Sequence, residues 1–242
     1  MLYCVAAGGS GTRLLPQTKF VNKHLIACDS KTLMIDYPLR LFAKSGAKEV
    51  VVVTGSNHAS QIVDYVADGE RYGFKRAEYA FQAKPAGIAD VLKRIFHKSD
   101  KEGVLLILGD NYFSTTQESL QFIDQTKAAA FQYDVGSLIK AQAFGQVQYT
   151  HAKGVMMPSD IVEKPTMPQH SKILTGLYYF PEDVFDKVDK LSPSARNELE
   201  ITDLLRLYLK EDRLQVCDVE GSWADLGEWE SLVEFWKKNK EL

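Results

Sequence analysis

A short apolar run near the N-terminus, Leu2–Ala7, passes directly into the loop Gly8-Gly9-Ser10-Gly11. An apolar run of this length is typical of a buried strand. Glycines carry no side chain that could block a ligand, so the N–H groups of such a loop can lie close to phosphate oxygens. Thr12 adds a hydroxyl donor, and Arg13 adds a forked and permanently charged donor. The segment therefore predicts a strand, a tight loop and an anion-binding site.

Two familiar glycine loops do not fit this segment. The dinucleotide fingerprint G-x-G-x-x-G needs a third glycine where Leu14 stands, and Asp29, near the spacing of a ribose-binding acid, follows no clear second strand. A Walker A loop ends in Gly-Lys-Ser/Thr, whereas this loop ends in Gly11-Thr12-Arg13. A plain strand-to-loop turn is the simpler alternative. Three glycines in four residues before an arginine are more than a turn requires.

Length and composition limit the classes of protein to which the chain can belong. Its 242 residues suit one large domain or two closely joined lobes, and 45% apolar residues are ordinary for a globular protein. A net charge of -3 gives no sign of a nucleic-acid or membrane partner. Cys4, Cys28 and Cys217 form neither a metal-binding spacing nor a disulfide framework. With no signal peptide and no apolar run of the roughly 18 residues that a membrane helix needs, we expect a cytoplasmic protein.

Strand-like and helix-like segments alternate along the chain. Apolar runs typical of buried strands lie at residues 50–53, 104–108, 173–174 and 177–180. Apolar side chains recur at helical spacing over residues 58–67, 89–96, 119–130, 200–211 and 229–238. This alternation predicts an α/β fold with a mostly parallel sheet, in which ligands bind at the carboxyl ends of strands. The glycine loop and Gly109-Asp110-Asn111 both fall at such ends.

The residues around the glycine loop carry a specific likeness to a known family. The segment from Gly8 to Lys19, followed by Asn22-Lys23-His24-Leu25, resembles the signature of the sugar-nucleotide pyrophosphorylases, and within that family the glucose-1-phosphate thymidylyltransferases. Further matches follow in the same order along nearly the whole chain: Asp68-Gly69, Gln82, Pro85-Ala86-Gly87-Ile88-Ala89-Asp90, Gly109-Asp110-Asn111, Phe144-Gly145, Glu163-Lys164-Pro165, Thr175-Gly176-Leu177-Tyr178, Pro193-Ser194-Ala195-Arg196, Glu198-Leu199-Glu200-Ile201-Thr202-Asp203 and Trp223-Ala224-Asp225-Leu226-Gly227. The combined pattern is specific, although no single motif is.

This resemblance implies a Rossmann-like three-layer α/β fold with a mixed, mostly parallel central sheet, and a single nucleotidyltransferase domain over residues 1–242. The N-terminal part would bind the nucleotide and the C-terminal part the sugar phosphate. The implied reaction joins dTTP and α-D-glucose 1-phosphate to give dTDP-glucose and pyrophosphate. UTP or another hexose 1-phosphate is an alternative, as is an inactive regulatory protein that binds nucleotide sugars. The resemblance also implies a homo-oligomer, either a dimer or a tetramer.

The implied chemistry brings two polyanions together, so it depends on positioning and charge neutralisation and needs no covalent nucleophile. By the resemblance, Arg13, Lys23 and Lys164 would supply the catalytic cations, while Asp110 and Asp225 would hold Mg²⁺. Taken singly, each lysine is more simply a solvated surface charge. Asp110 alone could be a turn cap, and Asp225 alone a solvated loop carboxylate.

The resemblance also assigns residues to each substrate. The nucleotide-binding residues would be Gly8, Gly9, Gly11, Thr12, Arg13, Gln82 and Gly87. The Gln82 carboxamide can pair with the N3–H and carbonyl edge of thymine or uracil, and Gly87 would let the chain lie against the ring. The sugar-phosphate site would consist of Gly145, Glu163, Lys164, Leu174, Gly176 and Arg196. Without the resemblance, Gln82 could equally be an exposed residue before a turn, and Glu163 a surface partner of Lys164.

Two features depart from the family pattern. Residues 25–34 lack two prolines that members usually carry there, and the segment is one residue longer. Few residues follow Trp236, whereas many thymidylyltransferases continue through helices that help form subunit contacts and a product-inhibition site. The tetramer and feedback inhibition of those enzymes depend on the helices in question, so a dimer or an altered assembly is the alternative to a tetramer here. A nicotinamide dehydrogenase, as a further alternative, would require the missing third glycine.

Overall fold

The computed structural model of the protein describes residues 1–98, 103–114, 120, 123–152 and 154–239. Its strands, in chain order, are β1 (Leu2–Ala7), β2 (Glu49–Gly55), β3 (Arg76–Gln82), β4 (Val104–Leu108), β5 (Asn111–Phe113), β6 (Ala128–Asp134), β7 (Gln146–Ala152), β8 (Val155–Val162), β9 (Lys172–Phe180), β10 (Leu214–Asp218) and β11 (Trp223–Asp225). Seven of them form one central sheet in the order β10-β6-β9-β4-β1-β2-β3. Strand β9 runs antiparallel to both of its neighbours, and the other pairs in the sheet are parallel.

Helices cover both faces of this sheet. They are α1 (Asp36–Lys44), α2 (Ala59–Val66), α3 (Ile88–Ile95), α4 (Leu138–Ala141), α5 (Val184–Val188), α6 (Ile201–Lys210) and α7 (Trp229–Lys238). One core cluster joins α3, α5 and α6 to Cys4 and Ala6 of β1, and another joins α1 and α2 to Val5 and Ala7. Alternate residues of β1 thus enter opposite cores, which explains why this strand reads as a continuous apolar run.

Two smaller strand pairs complete the sheet architecture. Strands β5 and β11 form a short antiparallel ladder in which Asp225 lies opposite Asn111. Strands β7 and β8 form an antiparallel hairpin. A third core cluster packs the C-terminal helix α7, through Leu232 and Phe235, against Leu14 of the segment that follows the glycine loop. The chain after β11 therefore supports the loop after β1.

One prediction of secondary structure is wrong. A helix was expected over residues 119–130, but residues 123–127 are not helical and β6 begins at Ala128. Leu120 is helical, and residues 119, 121 and 122 lie outside the described part. Ala128-Ala129-Ala130 favours a helix by intrinsic propensity. All three side chains are fully buried in the central sheet, so tertiary packing overrides that propensity. Within the described ranges, every helix is too short or too polar to traverse a lipid bilayer.

Candidate active site

A cleft opens at the carboxyl ends of β1 and β2. It is lined by residues 8–10, 18, 21–23, 55–58 and 85. The turn after β4 lies beside it, because Gly109 N donates to Ala6 O of β1 at 2.9 Å. Residues 55–58 of this lining were not predicted from the sequence as part of the site. Their position after a buried strand parallel to β1 was the signal that could have identified them.

The glycine loop makes room for the side chain of Lys23. A Cβ built on Gly9 would lie 3.0 Å from Lys23 Nζ, and one on Gly11 would lie 3.0 Å from Lys23 Cβ. Gly11 also has a φ of +69°, a conformation that L side chains rarely adopt. Thr18 Oγ1 donates to Gly11 O at 2.8 Å and fixes the loop. The missing side chains therefore serve the packing of the lysine as well as any ligand.

Lys23 and Asp110 form a nearly buried ion pair. Lys23 Nζ lies 2.5 Å from Asp110 Oδ2, and Asn111 Nδ2 donates to Asp110 Oδ1 at 3.2 Å. Burial alone would raise the pKa of Asp110, but the charge of Lys23, together with smaller contributions that include the hydrogen bonds from Lys23 and Asn111, outweighs burial and holds that pKa well below its usual range. The carboxylate is thus ionised and ready to bind a cation.

Neighbouring His24 is fixed in its neutral form. Burial, with the charge of Lys23, lowers the pKa of His24 to about 3. Asn22 Oδ1 accepts from His24 N and lies 2.9 Å from His24 Nδ1, so the ring proton is on Nδ1. Asn22 and His24 therefore hold the backbone on both sides of Lys23.

The short ladder between β5 and β11 brings the second aspartate to the first. Asp225 pairs with Asn111, and Leu226 N donates to Asp110 O at 2.8 Å. A Cβ on Gly227 would lie 2.8 Å from Asp110 Oδ2 and 3.0 Å from Asp225 Oδ1. The two carboxylates therefore face one open point. Burial, followed by the charge of Asp110, raises the pKa of Asp225 to about 6.

The side chain of Arg13 extends from the end of the glycine loop toward Asp225. Its Nη1 lies 3.1 Å from Glu228 Oε2, and its Nη2 lies 3.9 Å from Asp225 Oδ2. The side chain is 56% exposed, so it is accessible to a ligand. Glu228 directly follows the Trp-Ala-Asp-Leu-Gly motif of residues 223–227 and was not predicted from the sequence as part of the site. Thr12 is also exposed, next to Arg13.

Gln82 and Gly87 lie together on the far side of the glycine loop. Gln82 is buried, its Nε2 donates to Gly87 O at 3.2 Å, and a Cβ on Gly8 would lie 2.7 Å from its Oε1. The structure shows a reason for a glycine at position 87 besides the expected contact with the base. A Cβ on Gly87 would lie 2.7 Å from Leu199 N and still closer to Leu199 O, so close backbone packing requires the glycine.

Leu199 joins the two halves of the site through its backbone. Its N–H donates to Ala86 O at 2.8 Å, and its carbonyl accepts from Ala89 N at 3.2 Å. The segment that carries Gly87 is thus hydrogen-bonded to the segment that carries Arg196 and Glu200.

Three residues lie around Gly145 in the predicted sugar site: Glu163, Leu174 and Thr202. Leu174 N donates to Gly145 O at 2.7 Å, and a Cβ on Gly145 would lie 3.4 Å from Glu163 Oε2 and 3.0 Å from Thr202 Cγ2. Thr202 was not assigned from the sequence, although its motif was noted. It is 1% exposed, and its Oγ1 has no hydrogen-bond partner among the described residues. An unpaired buried hydroxyl is costly, and this one belongs to a side chain that lies beside Gly145 of the predicted sugar site.

Of the remaining predicted residues, Arg196 and Lys164 lie beside Glu163, whereas Gly176 lies beside the aspartates. Arg196 Nη2 lies 3.1 Å from Glu163 Oε1 and 2.8 Å from Glu200 Oε2, so glutamates hold its charge. Lys164 is half-exposed, 4.0 Å from Glu163. Gly176 belongs instead with the aspartates, since its N–H donates to Asn111 Oδ1 at 2.9 Å.

The sequence comparison decides the family. The family model described as nucleotidyl transferase matches residues 4–241. The chain belongs to the nucleotidyl transferase family. This match confirms the predicted nucleotidyltransferase class. Relatives named glucose-1-phosphate thymidylyltransferase confirm the resemblance to sugar-nucleotide enzymes. A glucose-1-phosphate thymidylyltransferase of Neisseria meningitidis is 35% identical over 236 residues, which cover 95% of this chain and 79% of the relative. The enzyme of that name from Mycobacterium tuberculosis is 32% identical over 237 residues, with the same coverage.

Solved structures of the family share the fold. A Bacillus anthracis protein, provisionally assigned as a glucose-1-phosphate thymidylyltransferase and solved with a sucrose, superposes with a TM-score of 0.89 at 31% identity, covering 100% of this chain and 96% of that one. A UDP-glucose pyrophosphorylase complexed with UDP-glucose gives a TM-score of 0.85 at 22% identity, covering 100% and 99%. The predicted Rossmann-like α/β fold with a mixed, mostly parallel sheet is confirmed.

Proposed function

We propose that this nucleotidyltransferase joins dTTP and α-D-glucose 1-phosphate to give dTDP-glucose and pyrophosphate. The observation that carries the proposal is the convergence of Lys23, Asp110 and Asp225 beside Arg13, at the carboxyl ends of β1 and β4. This group combines cations for phosphate with carboxylates for a metal, as transfer between two polyanions needs. The relatives from Neisseria and Mycobacterium, by their names, support glucose 1-phosphate and a thymidylyl donor.

In the proposed reaction, an oxygen of the sugar phosphate attacks the α-phosphorus in line and pyrophosphate leaves. Lys23 neutralises the charge of the reacting phosphates. To do so, its ammonium group turns away from Asp110 and toward the phosphates. Arg13 binds the triphosphate and stabilises the leaving pyrophosphate, because its exposed guanidinium can exchange Glu228 for phosphate oxygens. Lys164 binds the phosphate of the sugar.

The residues at this point fit Mg²⁺. Asp110 and Asp225 present oxygen ligands to one open point at Gly227, and a magnesium site needs only one or two carboxylates. Within the described ranges no third acidic, histidine or cysteine ligand joins them. When bound, Mg²⁺ would neutralise phosphate charge and complete its coordination shell with water and phosphate oxygens.

The proposal divides the single domain between the substrates. Gln82 and the backbone near Gly87 would bind the base, with Gly8, Gly9, Gly11 and Thr12 beside the phosphates. Glu163, Gly145, Leu174 and Thr202 would surround the sugar, where a carboxylate can accept from two hydroxyls. Uracil presents the same N3–H as thymine to Gln82, so UTP is the second candidate donor.

Pyrophosphate release tests the proposal. With Mg²⁺, five nucleoside triphosphates would be combined with several hexose 1-phosphates, and we expect the highest rate with dTTP and glucose 1-phosphate. A maximum with UTP or another hexose keeps the chemistry and replaces the substrate. No release anywhere, together with tight binding of nucleotide sugars by calorimetry, contradicts the enzyme and favours the regulatory alternative.

Assembly is a separate part of the proposal. We infer a homo-oligomer, either a dimer or a tetramer, acting in the cytoplasm. Light scattering of the purified chain measures its mass in solution, and a monomer of 27.2 kDa would contradict the assembly.

A further inference from the structure

The side-chain amide of Gln82 is held in one orientation. Its Nε2 donates to Asp90 Oδ2 at 2.9 Å and to Gly87 O at 3.2 Å. A carboxylate and a carbonyl oxygen can only accept, so both contacts require the NH₂ end of the amide. The alternative orientation would set Oε1 against two acceptors. The hydrogen-bond network therefore assigns the two ends of this amide.

Asp90 is itself fixed by Arg94, one turn later on α3. Arg94 Nε donates to Asp90 Oδ2 at 3.0 Å, and Nη2 donates to Oδ1 at 2.9 Å. This two-pronged contact locks both the position and the plane of the carboxylate. Asp90 is only 4% exposed, although it is a charged residue. A buried aspartate with both oxygens bound by arginine remains an acceptor, and Gln82 must donate to it.

The consequence for Gln82 is that both Nε2 hydrogens are used. Only Oε1 is left, and it faces the glycine loop, since a Cβ on Gly8 would lie 2.7 Å from it. No donor in the part of the chain that the structure describes reaches this oxygen. The site therefore offers a base an acceptor and no donor from this side chain. The earlier expectation that Gln82 pairs with both the N3–H and a carbonyl is reduced to the N3–H alone.

We propose that Asp90, locked by Arg94, is a positioning residue that fixes the Gln82 amide and so makes the base site select a ring N–H. Thymine and uracil present N3–H to Oε1, whereas cytosine presents an unprotonated N3, and two acceptors would face each other. The inference rests on the proposed function, because that function brings a base to Gln82. It adds the residue that decides which bases are accepted.

The test compares dUTP with dCTP, which differ only at the edge that Gln82 faces. For the unmodified chain we expect kcat/KM to favour dUTP by about 100-fold or more, since a site built around one hydrogen bond strongly rejects an analogue that lacks it. In Asp90→Asn the amide at position 90 can donate or accept, so the shorter of the two contacts that hold the Gln82 NH₂ no longer requires a donor, and only the 3.2 Å contact with Gly87 O opposes the turned amide. We expect this ratio to fall by about tenfold or more.

Two further variants make the result decisive. Asp64→Asn, an exposed aspartate of α2, is the matched control and should leave the ratio unchanged. Asp90→Ser answers the same question if Asp90→Asn does not fold, because a hydroxyl also donates or accepts. The Kd values for dUTP and dCTP would also be measured by calorimetry, so that a variant with a low turnover rate can still be compared.

The outcomes separate this inference from the proposed function. If the unmodified chain favours dUTP and both Asp90 variants keep its full ratio, Asp90 is only structural and the inference is overturned. If the unmodified chain uses dCTP as readily as dUTP, the base site of the proposed function is itself wrong. A ratio that falls in the Asp90 variants, with an unchanged KM for the sugar phosphate, supports the inference.

Discussion

The ammonium of Lys23 lies 2.5 Å from the Oδ2 of Asp110, and each side chain is only about one-tenth exposed. Each group compensates the charge of the other in a place where water cannot do so. Incoming phosphates and a divalent cation would bind these same two groups. Substrate binding is therefore an exchange of partners inside the site.

Lys23→Met should lower kcat/KM by at least about 100-fold, because a cation that stabilises the developing phosphate charge is lost, at about 3 kcal/mol. The methionine keeps most of the packing beneath the glycine loop. Lys19→Met, at an exposed position of the same segment, is the control. A loss of less than tenfold for Lys23→Met would show that this lysine is a spectator.

Asp225→Asn should give a more stable but nearly inactive protein. Its folded-state pKa lies above the ordinary 3.8, so this carboxylate costs stability, and the cost appears as pH rises through about 4 to 6. In EDTA at pH 8 we expect the free energy of unfolding to rise by about 3 kcal/mol, measured by urea denaturation. Asp64→Asn should not change it. Turnover with Mg²⁺ close to that of the unmodified chain would remove Asp225 from the metal site.

His24 should make stability depend on pH. Its folded-state pKa of about 3 lies below the ordinary 6.5, so the unfolded chain takes up a proton first as pH falls. Stability is complete above about pH 6.5 and is lost progressively toward pH 3, by about 2 kcal/mol at pH 5. Urea denaturation at pH 7 and pH 5 would measure this loss, and His24→Gln should reduce it. Exposed His151→Gln should leave it unchanged.

Thr202→Val should weaken sugar binding without weakening the fold. The hydroxyl has no partner among the described residues, so valine of similar shape should leave the free energy of unfolding unchanged or slightly higher. KM for the sugar 1-phosphate should rise by about tenfold, at about 1.4 kcal/mol, while KM for the nucleotide stays constant. Thr54→Val, in β2, removes another buried hydroxyl that has no partner among the residues that the structure describes, and serves as the control. If Thr202→Val and Thr54→Val have the same KM for the sugar 1-phosphate, Thr202 is not part of the sugar site.

The sequence predicts those parts of the site that follow buried strands. Both the glycine loop after β1 and Asp110 after β4 lie where the apolar runs placed them. The neighbourhood of Asp225 could not be predicted from local pattern, because it depends on a ladder of only three residues between β5 and β11. The locking of Gln82 was equally hidden, since Asp90 reads as one polar position on an amphipathic helix.

Predictions from local propensity fail where long-range packing decides. Residues 128–130 are three alanines with no strand-like side chain, yet they lie deep in the sheet beside β9 and β10. Likewise, the resemblance assigns Gly87 to the base site, and the backbone of Leu199 is a second reason for a glycine there that the sequence does not reveal. Neither contact is visible from spacing along the chain, because the partners are far apart in sequence.

The two backbone hydrogen bonds of Leu199 have a mechanical consequence. They link the segment proposed to bind the base to the segment proposed to bind the sugar, and they use no side chain of either. Side chains in each proposed pocket could therefore change, and the preferred base or hexose with them, without altering these two bonds. Because in-line transfer depends on the separation of the reacting groups to within a fraction of an ångström, a backbone link of this kind would let specificity vary independently of the chemistry.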